Sequence, residues 1–321
     1  MIAFTRRLML ALPALAAAPA LAQPAWPTRP LRMIVPFAPG GPSDGVGRVL
    51  AEVLSQKLGQ PVVVENRPGG GSVIGTVVAA QGNDGHTLLV ASGAHVVNPA
   101  LHLNLPYDPL RDFQPIGLIS TTPLVVTVSA NSPLHTLQDL VAAAKANPGG
   151  ITYASAGTAT INTLAAELFK MQTGTNLTAV NYRGEGALLP DLVSGVVSVG
   201  FLNLLAPLPL IRDGRLRALA VTADAGVPQL PGVPSMRDQG VPGFDKVGGW
   251  WSLLGRSLPE QELPRLTALL RETLAEARVH ERMLQLGMFP APMPQAEFTG
   301  FLRSEAARWA EVVRRANIRA E

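Results

Sequence analysis

Short apolar runs alternate with helix-length amphipathic segments from residue 31 onward, and this alternation constrains the fold more than any other feature. Residues 33–37, 62–65 and 87–91 are almost continuously apolar. Between the first two runs, Val46 and Val49 begin a series of apolar residues at helical spacing that ends at Leu58. Apolar strands joined by helices are typical of a parallel sheet that is covered on both faces. The sequence therefore predicts an α/β fold.

The same alternation recurs in a second unit. Strands are predicted at 124–129, 151–154, 178–181, 196–201 and 216–221. A segment rich in proline and glycine, 222–247, then leads into an apolar strand at 249–254 and two amphipathic helices at 261–278 and 295–317. We predict two α/β domains. Residues 26–124 and 249–321 form a discontinuous first domain, and residues 125–248 form the second.

The N-terminus has the pattern of an export signal. Arg6 and Arg7 precede an apolar run over 8–21, and residues 20–22 have small residues at both ends, as a cleavage site requires. The run is shorter than the roughly 20 apolar residues of a membrane-spanning helix. We predict a signal peptide over 1–22 and a periplasmic protein. The arginine pair leaves both the general secretory (Sec) and the twin-arginine (Tat) routes open.

Composition and motifs exclude several classes of function. Lys and Arg number 26 against 23 acidic residues, and the net charge of +3 falls to +1 without residues 1–22, so a basic nucleic-acid face is not expected. The chain has no cysteine, which excludes thiolate metal sites and a cysteine nucleophile. P-loop, zinc-protease and serine-hydrolase elbow motifs are absent. We predict no catalytic residue, no metal, no cofactor and no nucleic-acid partner. A secreted hydrolase of small esters or phosphates, with a dispersed triad, is the alternative.

Three strand-to-helix turns, at 38–44, 66–71 and 155–160, share one chemistry. Each places glycine or other small residues just before a helix. Such turns let backbone N–H groups approach a ligand, and the helix N-terminus adds partial positive charge, so carboxylates and phosphates are favoured. A single turn of this kind also serves helix–sheet packing alone. Three turns split between two domains predict an anion site in the cleft between them.

Isolated side chains near these turns admit two interpretations. Arg67 and Arg183 pair with a bound carboxylate or remain surface arginines. His95 follows a predicted strand end, where it either contacts the ligand or packs in the core. Trp250 and Trp251 are adjacent on a predicted strand, so we expect one to face the core and the other to form part of the cleft.

Several segments resemble one known family. The sequences PTRPLR at 27–32, IVPFAPGGPSD at 34–44 and LGQPVVVENRPG at 58–69 are similar to the signatures of the tripartite tricarboxylate transporter substrate-binding proteins, the Bug family of TctC-like periplasmic solute receptors. Further similar stretches lie at 98–101, 105–109, 182–184, 214–221 and 231–235. The resemblance covers essentially all of the chain after the predicted signal peptide.

This resemblance implies a type II-like, two-domain periplasmic-binding-protein (Venus flytrap) fold without catalysis. A small organic carboxylate would bind between the domains of a monomer and pass to a permease with one large and one small membrane subunit. A membrane sensor in place of the permease is the alternative. The candidate ligand-binding residues lie in or beside the turns and at strand ends: Phe37, Ala38, Pro39, Gly40, Gly41, Asn66, Arg67, Gly69, Gly70, Gly71, Ser92, Ser155, Gly157, Thr158, Thr160, Tyr182 and Asn203.

The identity of the ligand stays open between citrate, a C4-dicarboxylate, an amino acid and an aromatic acid. The turn at 155–160 has fewer Gly and Ser residues than is usual in the family, and Leu202 stands where the family often has Asp. These departures imply a less polar distal end of the ligand, as in an aromatic carboxylate.

Overall fold

The computed structural model describes residues 26–102, 104–157, 160–182, 185–223, 226–244 and 247–319. The predicted signal peptide and the candidate residues Thr158 and Arg183 lie outside the described residues. Among the helices that are described, none is both long and apolar enough to cross a membrane.

A single path of strands runs through the molecule in the order β2-β1-β3-β9-β4-β7-β5-β6, and β8 and β10 both pair with β4. The described strands are β1 Leu31–Val35, β2 Val62–Asn66, β3 Thr87–Ser92, β4 Gln114–Ser129, β5 Ile151–Ser155, β6 Leu177–Asn181, β7 Val199–Asn203, β8 Leu216–Val221, β9 Gly248–Arg256 and β10 Phe289–Pro290.

Helices follow most of the strands and cover the sheet. Those described are α1 Pro42–Leu58, α2 Val73–Ala80, α3 Ala94–Leu101, α4 Leu137–Ala146, α5 Ile161–Thr173, α6 Glu185–Ser194, α7 Leu208–Arg212, α8 Leu263–Ala275, α9 Ala277–Gln285 and α10 Gln295–Arg315. The strands that these helices cover are apolar and buried. Met33 and Ile34 of β1 and Leu88 of β3 have no exposed surface, as the alternation of strands and helices predicts.

Strand β4 belongs to both halves of the sheet. Its first half pairs antiparallel with β9, up to Pro123 opposite Gly248. Its second half pairs with β7 and β8, starting with Leu124 opposite Asn203. The pairing partners therefore change at the position where the sequence predicts the first domain to end. We retain 26–124 with 249–321, and 125–248, as a proposed division.

The topology brings the carboxyl ends of β1, β2, β3 and β5 close to the N-termini of α1, α2, α3 and α5. Parallel pairing of β1 with β2 and β3 aligns the first three ends. In the other half, β5 pairs parallel with β6 and β7. Helix N-termini that follow aligned strands meet at one edge of a sheet, which is where open α/β sheets bind ligands.

His95 in α3 makes the stability of this fold depend on pH. Its ring is 1% exposed and lies 5.1 Å from the Phe113 ring centroid, with Nε2 3.0 Å from the carbonyl oxygen of Pro109. Burial lowers the pKa of His95 to about 4. The unfolded chain takes up this proton near pH 6.5, so the folded state loses stability as pH falls from 6.5 towards 4. We expect the free energy of unfolding to drop by about 2 kcal/mol between pH 7 and pH 5.

Urea unfolding at the two pH values measures this drop. His95→Gln keeps an N–H donor and removes the titration, so its stability should fall much less over the same interval. Glu65, whose pKa the hydrogen bond from Arg32 lowers to about 2, contributes little here, because its contribution to stability is lost only as pH falls below the unfolded value of 4.5. If the free energy of unfolding of His95→Gln dropped equally between the two pH values, the pH dependence would arise from groups other than His95.

Candidate functional site

A cavity of about 360 Å³ lies at the edge of the sheet where the strand-to-helix turns meet. We call it the cleft cavity. Residues of both proposed domains line it, among them Phe37 from the first and Asn203 from the second. Its volume falls within the range of roughly 300–1,000 Å³ that is common for small-molecule sites.

One side of the cleft cavity is built from the starts of helices. This donor face consists of Ser43, Gly71, Ser92, Gly93 and Ala94. No side chain caps the N-termini of α1, α2 or α3. By contrast, Thr160 caps α5 by accepting a hydrogen bond from the backbone N–H of Thr163. The donor face thus combines free backbone N–H groups at the starts of α1 and α3 with the positive ends of three helix dipoles, an arrangement suited to a carboxylate. The first N–H groups of α2 bond instead to the carbonyls of Gly69 and Gly70.

Asp44 holds the first turn in shape. Its carboxylate accepts hydrogen bonds from the backbone N–H of Gly40 at 2.9 Å, from Arg48 Nε at 2.9 Å and from Asn66 Nδ2 at 3.0 Å. Asn66 also donates to the carbonyl of Phe37 at 3.1 Å. The Arg48 hydrogen bond, together with those from Gly40 and Asn66, holds the pKa of Asp44 below its usual value. Asp44 and Asn66 therefore support the turn and do not line the cavity.

The second turn depends on glycine. Gly70 and Gly71 have φ angles of +56° and +59°, in the left-handed region that glycine adopts without steric cost. Asn98 on α3 fixes the turn, because its Nδ2 donates to the carbonyl of Gly71 at 3.0 Å and to Ser72 Oγ at 3.3 Å. This contact links the starts of α2 and α3 across the donor face.

Another part of the cavity surface is apolar. This apolar wall consists of Val97, Ile161, Leu164, Trp250 and Trp309. Four of these residues belong to one buried core cluster, and Ile161 packs against that cluster. The wall is therefore a continuation of the core and is held as rigidly as the core.

A buried carboxylate positions two of the indoles. Glu305 on α10 is 1% exposed, and its Oε2 accepts hydrogen bonds from Trp250 Nε1 at 3.1 Å and from Trp309 Nε1 at 2.9 Å. Arg308 Nη1 lies 2.9 Å from the other carboxylate oxygen. Burial raises the pKa of Glu305, and the charge of Arg308 and the two indole bonds oppose that rise. Both indole N–H groups are thus occupied within the protein.

The adjacent tryptophans divide as predicted, with one in the core and the other at the cleft. Trp250 is 1% exposed and belongs to the core cluster that borders the cavity. Trp251 is half-buried and lines the cavity, and its Nε1 donates to Ser43 Oγ at 2.8 Å.

Asn203 joins the cavity to Glu185, a half-buried acid on α6. Its backbone N–H donates to Glu185 Oε1 at 2.9 Å, and its side-chain Nδ2 donates to the same oxygen at 2.6 Å. Burial raises the pKa of Glu185, and the bonds from Asn203 and Asn162 oppose that rise. Leu202, in contrast, has no exposed surface and packs in a core cluster away from the cavity. The inference drawn from Leu202 about the polarity of the cleft is therefore wrong, because strand alternation turns that side chain inward.

The structure brings Phe37, Gly71, Ser92, Thr160 and Asn203 together as cavity-lining residues. The other predicted site residues of the two glycine-rich turns flank the lining residues: Ala38, Pro39, Gly40, Gly41, Asn66, Gly69 and Gly70.

The remaining predicted site residues are engaged elsewhere. The exposed Arg67 pairs with Glu65 at 3.2 Å, so it does not line the cavity. The Tyr182 hydroxyl donates to Asp191 at 2.8 Å. Ser155 is fully buried, 2.8 Å from the Thr163 hydroxyl, and Gly157 accepts a hydrogen bond from Thr160.

Sequence reasoning missed part of the lining. Ala94 and Val97 lie on α3, which was not predicted, and Gly93 immediately precedes that helix. Trp309 was not among the candidate site residues. The small residues that follow the predicted strand at Ser92 could have indicated that Gly93 and Ala94 form a further strand-to-helix turn. For Trp309, helical spacing correctly indicates burial, but it does not reveal that a cavity lies against the buried face.

Comparison with known proteins identifies relatives over most of the chain. A model of the "Tripartite tricarboxylate transporter family receptor" matches residues 46–318. BugT of Bordetella pertussis is 37% identical over 296 residues, which is 90% of each chain. A Rhodopseudomonas palustris protein solved with adipate is 30% identical, with a TM-score of 0.75 over 92% of this chain and 99% of that one. MatC from the same species, solved with malate, is also 30% identical, with a TM-score of 0.72 over 90% of this chain and all of the other. Solved periplasmic binding proteins share the architecture, which confirms the predicted two-domain α/β fold.

Proposed function

This chain belongs to the tripartite tricarboxylate transporter receptor family, and we propose that it captures a small organic carboxylate in the cleft cavity. The observation that carries the proposal is the donor face, where three helix N-termini without side-chain caps meet at one cavity. Two relatives of the same fold, solved with adipate and with malate, support a carboxylate as the ligand class.

In this proposal the protein works in the periplasm as a transport receptor. Relatives are described as periplasmic, and residues 1–22 have the pattern of a cleavable export signal. The two domains close over the ligand, and the closed monomer delivers it to a permease with one large and one small membrane subunit. Closure by hinge motion is the usual response of two-domain binding proteins to a ligand.

A carboxylate panel tests the ligand class. The chain without residues 1–22 is titrated by calorimetry with adipate, malate, benzoate and phenylacetate, and with the neutral analogues benzamide and benzyl alcohol. We expect at least one carboxylate to bind and each neutral analogue to bind far more weakly. A binding carboxylate should raise the free energy of unfolding by about 2.7 kcal/mol at a hundredfold excess over its Kd. Failure of every carboxylate at millimolar concentration would contradict the proposal.

A further inference from the structure

Taking the proposed carboxylate site as a premise, we infer that the ligand is a monocarboxylate with an apolar ring as its body. Its single carboxylate meets the donor face, and its ring packs on the apolar wall. This assignment names a narrower class than small organic carboxylates, and it separates the ligand from dicarboxylates such as adipate and malate.

The side-chain hydrogen-bond donors beside the apolar wall are already occupied. The indole N–H groups of Trp250 and Trp309 are bonded to Glu305, and that of Trp251 is bonded to Ser43 Oγ. The hydroxyl of Thr160 donates to the carbonyl of Gly157 at 2.8 Å.

On the donor face, by contrast, hydroxyl protons remain available. Ser43 Oγ accepts the bond from Trp251 and keeps its own proton, and the Ser92 hydroxyl has no partner among the described residues. These side-chain donors lie beside the starts of α1 and α3, so they serve a carboxylate at the donor face, whereas the side chains of the apolar wall offer no free donor to a second carboxylate.

Charge gives the second argument. Of the described residues that line the cavity, none is Lys, Arg or His. The nearest ionisable neighbour that Asn203 contacts is an acid, Glu185. A second ligand carboxylate on the apolar wall would lose its hydration without gaining a cation or a free side-chain donor, and burial of a charge without such a partner is unfavourable.

Shape gives the third argument. The half-buried side chains of Phe37, Ile161 and Trp251 give the cavity an accessible apolar surface. The other residues of the apolar wall are buried directly behind it and fix it as part of the core. Aromatic faces bind flat apolar groups through stacked or edge-on contacts and through the burial of apolar surface. A ligand with a ring attached to a carboxylate can pack its ring on the apolar wall while its carboxylate accepts hydrogen bonds from the donor face.

The calorimetric panel, extended by cyclohexanecarboxylate, distinguishes this inference from the proposal on which it rests. We expect benzoate, phenylacetate or cyclohexanecarboxylate to bind at least about tenfold more tightly than adipate and malate. If adipate or malate binds as tightly or more tightly, the inference of a ring monocarboxylate is overturned, but the proposal that the protein is a carboxylate receptor is not. Benzyl alcohol binding as tightly as phenylacetate would overturn both, because the charge would then contribute nothing.

A variant of the wall provides the second arm. Ile161 is half-buried at the first position of α5. A longer side chain there can reach solvent, so Ile161→Arg places a cation at the cavity while the protein stays folded. We expect the affinity ratio of adipate to benzoate to rise by at least about tenfold. Gln172→Arg adds the same charge at an exposed position of the same helix and should leave the ratio unchanged. An unchanged ratio in a folded Ile161→Arg protein would place the distal end of the ligand away from the wall and overturn the inference.

Discussion

Valine in place of Gly93 should weaken carboxylate binding by about a hundredfold while the protein remains folded. A Cβ atom at this position would stand 3.6 Å from Trp250 Nε1 and 3.7 Å from Trp250 Cε2, in ordinary van der Waals contact. Gly93 has φ −50° and ψ −31°, which a side chain accepts without strain. The added methyl groups would occupy the cavity between the donor face and the apolar wall. A hundredfold loss corresponds to about 2.7 kcal/mol of binding free energy.

Calorimetry with whichever carboxylate binds the unmodified chain most tightly measures the effect. The matched control is Gly300→Val on α10, where an added Cβ meets nothing within 4 Å and the residue is exposed. This control should keep the unmodified affinity. Both variants should unfold in urea within about 1 kcal/mol of the parent, since the substitutions bury little and break no contact. Unchanged affinity in the Gly93→Val protein would contradict the placement of the ligand in the cleft cavity.

The spacing of apolar residues predicted those strands and helices whose apolar pattern is unbroken along their length. Strands β1 and β3 are mostly apolar and buried, and the edge strand β2 begins with three valines, so their patterns indicate a covered parallel sheet without any information from distant residues. The glycine-rich turns were identifiable for a related reason. Left-handed angles such as those of Gly70 and Gly71 require a residue without a Cβ atom, so the sequence itself records the turn.

Helix α3 and the first half of β4 were not predicted, because each contains residues that are unfavourable in a helix or a strand. Helix α3 is only 8 residues long and contains Pro99, which removes one helical hydrogen bond. The first half of β4 contains Pro115 and Gly117, and its register with β9 shifts between these two residues. Tertiary packing stabilises both elements, so local propensity underestimates them.

The apolar wall illustrates why much of the site could not be predicted. Val97, Leu164 and Trp309 lie on three helices that are far apart in the sequence, and contact between α3, α5 and α10 brings them to one cavity. Each residue alone is an ordinary core side chain at helical spacing. Glu305 is likewise one acid on an amphipathic helix until the fold places two indoles against it.

Replacing Trp309 by alanine should cause the largest loss of stability, about 3–5 kcal/mol of unfolding free energy. The side chain has no exposed surface and lies in the largest core cluster, where α10 packs on α3. Its removal leaves a void that the surrounding helices fill only in part. It also takes one of the two indole donors from the buried carboxylate of Glu305. Urea unfolding followed by circular dichroism at pH 7 measures the loss without relying on tryptophan fluorescence.

Trp309→Phe separates packing from hydrogen bonding. The smaller ring fills most of the space but cannot donate to Glu305, so we expect a cost of about 1–3 kcal/mol from the lost hydrogen bond of a buried charged group. If the apolar wall binds the ring of the ligand, the phenylalanine variant should keep most of the affinity for benzoate, because Trp309 has no exposed surface and supports the wall from behind. Equal losses of stability in the two variants would mean that the bond to Glu305, and not the packing of the indole, holds α10 against the cleft.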